Sequence, residues 1–273
     1  MSTITLTASM RSNLSSLKVI QTQMDKTQER LSTGKKVNSA IDNASSYYQA
    51  RSLTNRAADL DSLLDSMGQG VQTIQAANEG IEAITSFVEQ MKSVAESAAA
   101  LDAGAEGYED KLAEYAAQFD AIKDQIADIA EDSSYQGVNL LIGNKLKVVF
   151  NETRSNDLTV TGKDIVDEMA IADATGAWAA AADATESIGE ITTAIETLRS
   201  YATELGNNFT IIETRQNFTE AMIDVLETGS DKLVLADMNE ESANYLALQT
   251  RQQLAINSLA LASQSAQSVL SLF

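Results

Sequence analysis

Apolar residues recur in alternating steps of three and four positions at both ends of the chain. This alternation is typical of a helix that buries one narrow face against another helix in a coiled coil. One series covers residues 10–31 and the other covers residues 238–273. The residues predicted to form these two seams are Met10, Leu14, Leu17, Met24, Leu31, Tyr245, Leu248, Ala255, Leu259, Ala262, Val269 and Phe273. The sequence therefore predicts two terminal helices, each with a face that needs a partner.

Glycine marks the predicted end of the N-terminal helix. Gly34 follows the last apolar position, and glycine often ends helices because it adopts the left-handed conformation without strain. Residues 35–45 contain few periodic apolar positions and several turn-forming residues, which predicts an ordered connector. A long helix is expected from about Ser46, because apolar residues then recur every seven positions from Leu53 to Val88.

Two more helices and a small β-unit are predicted in the middle of the chain. Alternating steps of three and four place one helix over residues 108–129 and a longer one over residues 188–226, ending at Gly229. Between them, two apolar runs separated by Gly143 and Asn144 predict a β-hairpin. Strands are expected at residues 138–142, 145–150 and 157–161, and a short helix or loop at residues 163–182.

The order of these elements is symmetric about the middle of the chain. A terminal helix and a connector lead into a helical body, and a second connector leads into the other terminal helix. We predict a mainly α fold: a long antiparallel helical rod or coiled coil with a small β-hairpin insert, in which the two chain ends pair. The predicted division is residues 1–34 with 238–273 as the paired terminal coiled coil, 35–45 and 231–237 as connectors, and 46–230 as the body, with its hairpin at about 138–161.

The composition favours long helices and removes most catalytic chemistry. The 273 residues include no proline, the residue that breaks helices. Cysteine and histidine are also absent, so the chain has no thiolate nucleophile and no side chain that ordinarily titrates near neutral pH. We expect no enzyme activity, no cofactor and no metal site. The alternative class is an enzyme or cation-binding helical bundle, which hydrolytic activity or stoichiometric metal in purified protein would support.

The charge distribution argues against nucleic acid as a partner. The net charge is −20, and the acidic residues concentrate in the middle of the chain, whereas nucleic-acid binding needs a basic surface. Membrane insertion is not expected either, because serine, glutamine and asparagine interrupt the uncharged residues 252–273. Residues 1–10 contain neither a cationic start nor an apolar core, so we expect no cleaved signal peptide.

Several segments resemble the bacterial flagellins. Residues 30–44, from Arg30-Leu31-Ser32-Thr33-Gly34 to Asp42-Asn43-Ala44, resemble the N-terminal signature of that family, as do Gln75-Ala76-Ala77-Asn78-Glu79-Gly80. Residues 236–244, 248–254 and 268–273 resemble the flagellin C-terminus. The resemblance implies that the terminal helices form the inner domain of a filament, that the connectors are spokes, and that the body forms the outer tube. Only a short stretch separates Val160 from Ser187, which implies a minimal flagellin without large outer variable domains.

The resemblance also implies a function and a set of partners. The chain would polymerise with copies of itself into the extracellular flagellar filament that drives swimming, and its terminal helices would order on assembly. It would be exported through a flagellar type III channel, and would meet an export chaperone, hook-junction proteins and a cap protein. The alternative within this class is a hook–filament junction protein with flagellin-like termini, which would not form long filaments by itself.

The resemblance further implies a site for innate immune receptors on the first body helix. In many flagellins an arginine on this helix contributes to recognition, and the matching position lies near Gln90 or Met91. Residues 57–91 contain no lysine or arginine. We therefore predict weak recognition, which a receptor reporter assay on purified monomer measures; a strong response would contradict the prediction.

Overall fold

The computed structural model describes residues 8–270, which fold into six helices and one pair of strands. The elements are α1 (Ala8–Thr33), α2 (Ala44–Ala99), α3 (Tyr108–Asp132), β1 (Lys145–Val149), β2 (Asp157–Thr161), α4 (Ile165–Met169), α5 (Ala181–Val234) and α6 (Met238–Leu270). The prediction of a mainly α fold with a small β-hairpin is confirmed. Two compact units are present: a terminal unit, residues up to Arg56 and from Val225, and a central unit, Ala57–Asp224.

Helices α1, α2 and α3 begin and end close to the predicted positions. Gly34, with φ of 72°, follows α1 in the left-handed conformation expected of a residue that ends a helix. Helix α2 runs without a break for 56 residues, which the absence of proline permits.

Helix α5 does not end at Gly229, so that prediction is wrong. The helix continues to Val234 and leaves only residues 235–237 before α6. The next residue, Ser230, is buried against α2 within the terminal unit, where its Oγ donates to the carbonyl oxygen of Ala50 at 3.2 Å. Glycine inside a helix costs only about 1 kcal/mol relative to alanine, and the contact of Ser230 with α2 offsets that cost.

The strand expected at residues 138–142 is not present, so the predicted hairpin partners are also wrong. β1 pairs instead with β2 in an antiparallel register that joins Lys145 to Thr161 and Val149 to Asp157. The apolar residues Leu140 and Leu141 are buried in the core of the central unit from a loop.

Asn139 explains why this segment is a loop. Its Nδ2 donates to the carbonyl oxygens of Ala130 and Glu131, at 2.7 and 2.9 Å, near the end of α3. Its Oδ1 accepts from the backbone N–H of Leu141 at 2.8 Å. The side chain therefore satisfies two carbonyl groups at the end of α3, and it pairs the Leu141 N–H, which in a strand would be paired by the ladder.

The core of the central unit lies between α2, α3, α5 and the β-hairpin. Trp178 packs 5.1 Å from Phe119 between ring centroids, and its Nε1 donates to Ser187 at 3.1 Å. Tyr201 donates its hydroxyl to the carbonyl oxygen of Leu140 at 2.8 Å, and its burial raises the pKa of that hydroxyl to about 12. Each of these buried polar groups thus has a hydrogen-bond partner, as a stable interior requires.

Candidate self-assembly surface

Two short backbone contacts hold the end of α1 beside the start of α6. Lys36 donates its backbone N–H to the carbonyl oxygen of Val234 at 2.7 Å, and Ala236 donates to Gly34 at 2.9 Å. Lys36 also donates its Nζ to the carbonyl oxygen of Lys232 at 3.0 Å. The connectors before α2 and after α5 therefore pair with each other and fix where the terminal helices meet.

Side-chain contacts define how the terminal helices run. Arg30 Nη1 donates to Glu241 Oε1 at 2.7 Å, and Gln252 Nε2 donates to Gln21 Oε1 at 2.7 Å. Moving backwards along α1 from Arg30 to Gln21 corresponds to moving forwards along α6, so the helices are antiparallel. The ion pair is well shielded, since Glu241 is only 8% exposed.

On α6 the least exposed positions lie on the predicted seam, except that Met238, where this seam begins, is 45% exposed. They follow steps of three and four from Glu241 to Ala262. Glu241 and Leu248 are buried, whereas Tyr245, Gln252, Ala255, Leu259 and Ala262 are partly buried. Of the remaining predicted positions, the side chain of Val269 and the whole of Phe273 lie outside the described residues.

On α1 the line of least exposed residues, here called the protected line, matches the predicted seam only at every second position. Met10 is buried, and Leu17, Met24 and Leu31 are partly buried, but Leu14 is 49% exposed. Asn13, Ile20 and Thr27 complete the line at the intervening positions. Polar residues occupy two of these three positions, so the pattern of apolar residues in the sequence did not indicate them.

A second apolar line on α6 faces away from α1. Leu246, Leu254 and Leu261 are 61–66% exposed, and their spacing places them on one side of the helix, about half a turn from the seam. These leucines lie outside the single seam that the sequence predicted on this helix. Their spacing of seven to eight positions, about two helical turns, is the sequence signal that places them together on the opposite side of the helix.

The pair of terminal helices therefore buries little of its own apolar surface. Leu14 and Val19 on α1 and Ile256 on α6 are also about half exposed. A helix that is apolar on two sides is stable when both sides are covered. The arrangement is suited to binding further helices.

The connector that follows α1 carries a well-ordered turn. The carboxylate of Asp42 accepts from the backbone N–H groups of Ser39 and Asn38, at 3.1 and 3.2 Å, and lies 3.5 Å from Lys26 Nζ on α1. The hydrogen bond from Ser39 is the main reason why the pKa of Asp42 is lower than its ordinary value. The turn is thus tied to the terminal helix that precedes it.

Residues 8–270 contain no group of three or more acidic side chains placed to hold a metal ion. In the same part of the chain, no helix is long and apolar enough to cross a membrane.

Two family descriptions match this chain at its two ends. The bacterial flagellin N-terminal helical region matches residues 2–145, and the bacterial flagellin C-terminal helical region matches residues 188–273. The chain belongs to the bacterial flagellin family. Only residues 146–187 lie between the two matched regions, so this is a flagellin of minimal size.

Curated flagellins resemble the chain over nearly its whole length. Flagellin FljM of Caulobacter vibrioides is 31% identical over 261 residues, which cover 95% of this chain and 94% of that protein. A flagellin of Brucella melitensis biotype 1 is 31% identical over 285 residues, which cover 97% and 99%. The crystal structure of Bacillus cereus flagellin aligns at 16% identity with a TM-score of 0.46, covering 55% of this chain and 86% of that one. The family assignment rests on the sequence matches.

Membership of the flagellin family establishes the general function of the chain. The chain is a structural subunit of the flagellar filament and is not an enzyme, which confirms both predictions. The matches do not favour the hook–filament junction protein.

Proposed function

We propose that the pair of α1 and α6 is the surface through which this flagellin polymerises, and that both helices become fully ordered only in the filament. The observation that carries the proposal is the exposed line of Leu246, Leu254 and Leu261 on the side of α6 opposite α1. The proposed self-assembly core also includes the seam residues Met10, Leu14, Leu17, Met24, Leu31, Tyr245, Leu248, Ala255, Leu259, Ala262, Val269 and Phe273.

The free energy of burying the exposed leucines favours ordering of the terminal helices during assembly. Full burial of a leucine side chain contributes roughly 1.5–3 kcal/mol, so three exposed leucines represent a large gain that only another molecule can supply. Ordering a loose segment on binding costs a few kcal/mol, which this gain offsets. Premature assembly at low concentration is then disfavoured, because an isolated pair of helices lacks the neighbours that stabilise it.

The geometry favours an open polymer over a closed dimer. One side of α6 contacts α1 of the same chain, and the opposite side is left for a neighbour. A contact between two different patches, repeated without closing, generates a helical filament.

Further partners follow from the family resemblance. We propose that the chain is exported through a flagellar type III channel with the help of an export chaperone, and that hook-junction and cap proteins contact it at the ends of the extracellular filament. The net charge of −20 supports the absence of nucleic acid as a partner, and we propose no membrane partner. Recognition by the innate immune receptor is proposed to be weak, since no cation lies in residues 57–91 and Met91 is fully buried.

The exposed leucines provide the test of this function. Replacing Leu254 and Leu261 together by serine should abolish polymerisation seeded with filament fragments, as observed by electron microscopy. The matched control replaces Gln253 and Ala260 by serine, because both residues are exposed and lie beside the two leucines.

The controls separate assembly from folding. Fluorescence of Trp178, in the core of the central unit, should be unchanged in both variants because the substitutions lie in the terminal unit. The proposal is wrong if the leucine variant forms filaments as readily as the control.

A further inference from the structure

Among the described residues, Ile41 is the most exposed of the large apolar side chains. It is 97% exposed, although the turn that carries it is ordered by the contacts of Asp42 with Asn38, Ser39 and Lys26. A single exposed apolar side chain is ordinary on a protein surface, but one with further contact-forming side chains around it favours a contact site.

Cationic and aromatic side chains accompany Ile41. Lys35 and Arg51 line one groove together with Tyr47 and Asn38, and Asn38 begins the turn that carries Ile41. Tyr48 is 63% exposed and lies one helical turn before Arg51 on the same side of α2. We refer to Lys35, Ile41, Tyr48 and Arg51 as the connector surface; it is apolar at its tip and positively charged beside it.

The central unit contains a groove of complementary character. Its volume is about 680 Å³, and it lies between α2 and α5. Ile74, Ala76, Leu205 and Phe209 supply apolar walls. Gln75, Asn78 and Glu79 also line the groove, and all three belong to the flagellin-like segment at residues 75–80.

The charge of this groove is negative. Glu79 lines it and is exposed. Glu213 lies one helical turn beyond Phe209 on the same side of α5 and is also exposed. Among the described residues that line the groove there is no lysine or arginine, so the groove fits an apolar protrusion with cations beside it.

We propose that Ile41 of one copy inserts into the groove of a neighbouring copy, with Lys35 and Arg51 facing Glu79 and Glu213. The proposal rests on the proposed function, polymerisation of this chain. Charge identifies a second copy as the occupant: the residues of the central unit sum to −22, whereas those of the terminal unit sum to +2. Two central units repel each other, but the connector surface of another copy attracts the groove.

Cysteine crosslinking tests this contact directly, because the natural chain contains no cysteine. Filaments are grown from seeds with an equal mixture of two single variants, Ile41→Cys and Gln75→Cys, and are then treated with an oxidant that couples two thiols into a disulfide. Gln75 is exposed and lines the groove. A disulfide that joins the two variants, identified as a heterodimer by mass spectrometry, can form only between copies.

The matched control replaces Gln75→Cys with Gln90→Cys, which is exposed on the same helix but does not line the groove. The expected result is a strong heterodimer from filaments of the first mixture, and little from filaments of the control mixture or from unassembled protein. Filaments that form normally but give equal crosslinking in both mixtures overturn the proposed contact and leave the assembly function standing. If the unmodified chain does not form filaments, it is the assembly function that fails.

Charge reversal provides an independent measurement. Glu79→Lys or Arg51→Glu should each raise the critical concentration for polymerisation roughly fivefold, and the two combined should restore it to near the natural value. Far-ultraviolet circular dichroism and Trp178 fluorescence confirm that the variants are folded. The contact is overturned if the double variant assembles no better than the single ones.

Discussion

The ion pair between Arg30 and Glu241 lies where α1 and α6 first meet. The carboxylate is nearly inaccessible to water, and Arg30 Nη1 donates to it at 2.7 Å. The Nε of Arg30 is buried without a hydrogen-bond partner among the described residues. This guanidinium is therefore strongly dependent on Glu241, because a charge that loses its partner in a protected site is costly.

Replacing Glu241 by alanine should destabilise the pair of terminal helices by about 1.5–3 kcal/mol, the range for a hydrogen bond to a charged group. Hydrogen exchange of the α1 and α6 backbone amides measures this effect, since both helices belong to the terminal unit. Glu240→Ala is the control: both glutamates lie in the first turn of α6, where each interacts with the helix dipole, but Glu240 is exposed. Equal acceleration of exchange in both variants would show that the ion pair contributes nothing.

At the scale of secondary-structure elements, the repeating apolar pattern predicted most of the helices. It located α1, α2 and α3 within a few residues, since each helix packs along one continuous face. It did not locate the end of α5, because Ser230, next to Gly229, bonds to Ala50 of α2, which is 180 positions away in the sequence. The strand predicted at residues 138–142 is absent for a related reason. An apolar run indicates burial, but it does not indicate whether the backbone hydrogen bonds are made in a strand or in a loop.

The candidate surface was predicted only in part. On α6 the predicted seam positions from Glu241 to Ala262 are buried or partly buried, and their role in assembly stays a prediction. On α1 the protected line includes Asn13 and Thr27, whose burial depends on the partner helix. The outward leucines of α6 and the groove of the central unit arise from the arrangement of elements, which a single periodic pattern does not specify.

Gly80 and Gly189 both lie inside helices, but only Gly80 is closely packed against other parts of the chain. A Cβ at Gly80 in α2 would clash with Ser133, and would lie 2.7 Å from Cδ1 of Leu141, whereas a Cβ at Gly189 in α5 would meet nothing within 4 Å. Gly80→Ala should destabilise the central unit by about 1–3 kcal/mol through overpacking. Gly189→Ala should stabilise it by about 0.5–1 kcal/mol through helix propensity.

Urea unfolding, monitored by Trp178 fluorescence, measures both effects in one unit because all three residues belong to it. Opposite signs are expected. A loss of stability in the Gly189→Ala variant, or a gain in the Gly80→Ala variant, would contradict the close packing around Gly80 and the open space around Gly189.

At the scale of the whole molecule, charge is divided unevenly along the chain. The residues of the terminal unit include ten Lys and Arg and eight Asp and Glu, whereas those of the central unit include nine and 31. Every copy added to a filament therefore brings another strongly negative central unit near those already present. The apolar contacts of α6 must outweigh this repulsion for assembly to proceed.

Salt should therefore promote polymerisation. At an ionic strength of about 0.01 M the screening length is about 30 Å, and at about 0.15 M it falls to about 8 Å. Repulsion between central units acts over long distances and is screened most, whereas contacts between α6 leucines carry no charge and persist. The critical concentration measured by sedimentation should fall as sodium chloride rises through this range. Neutralising the exposed carboxylates of Glu186 and Glu196 with glutamine should reduce that dependence on salt. Polymerisation that weakens steadily with added salt would mean that attraction between charges, rather than apolar contact, holds the copies together.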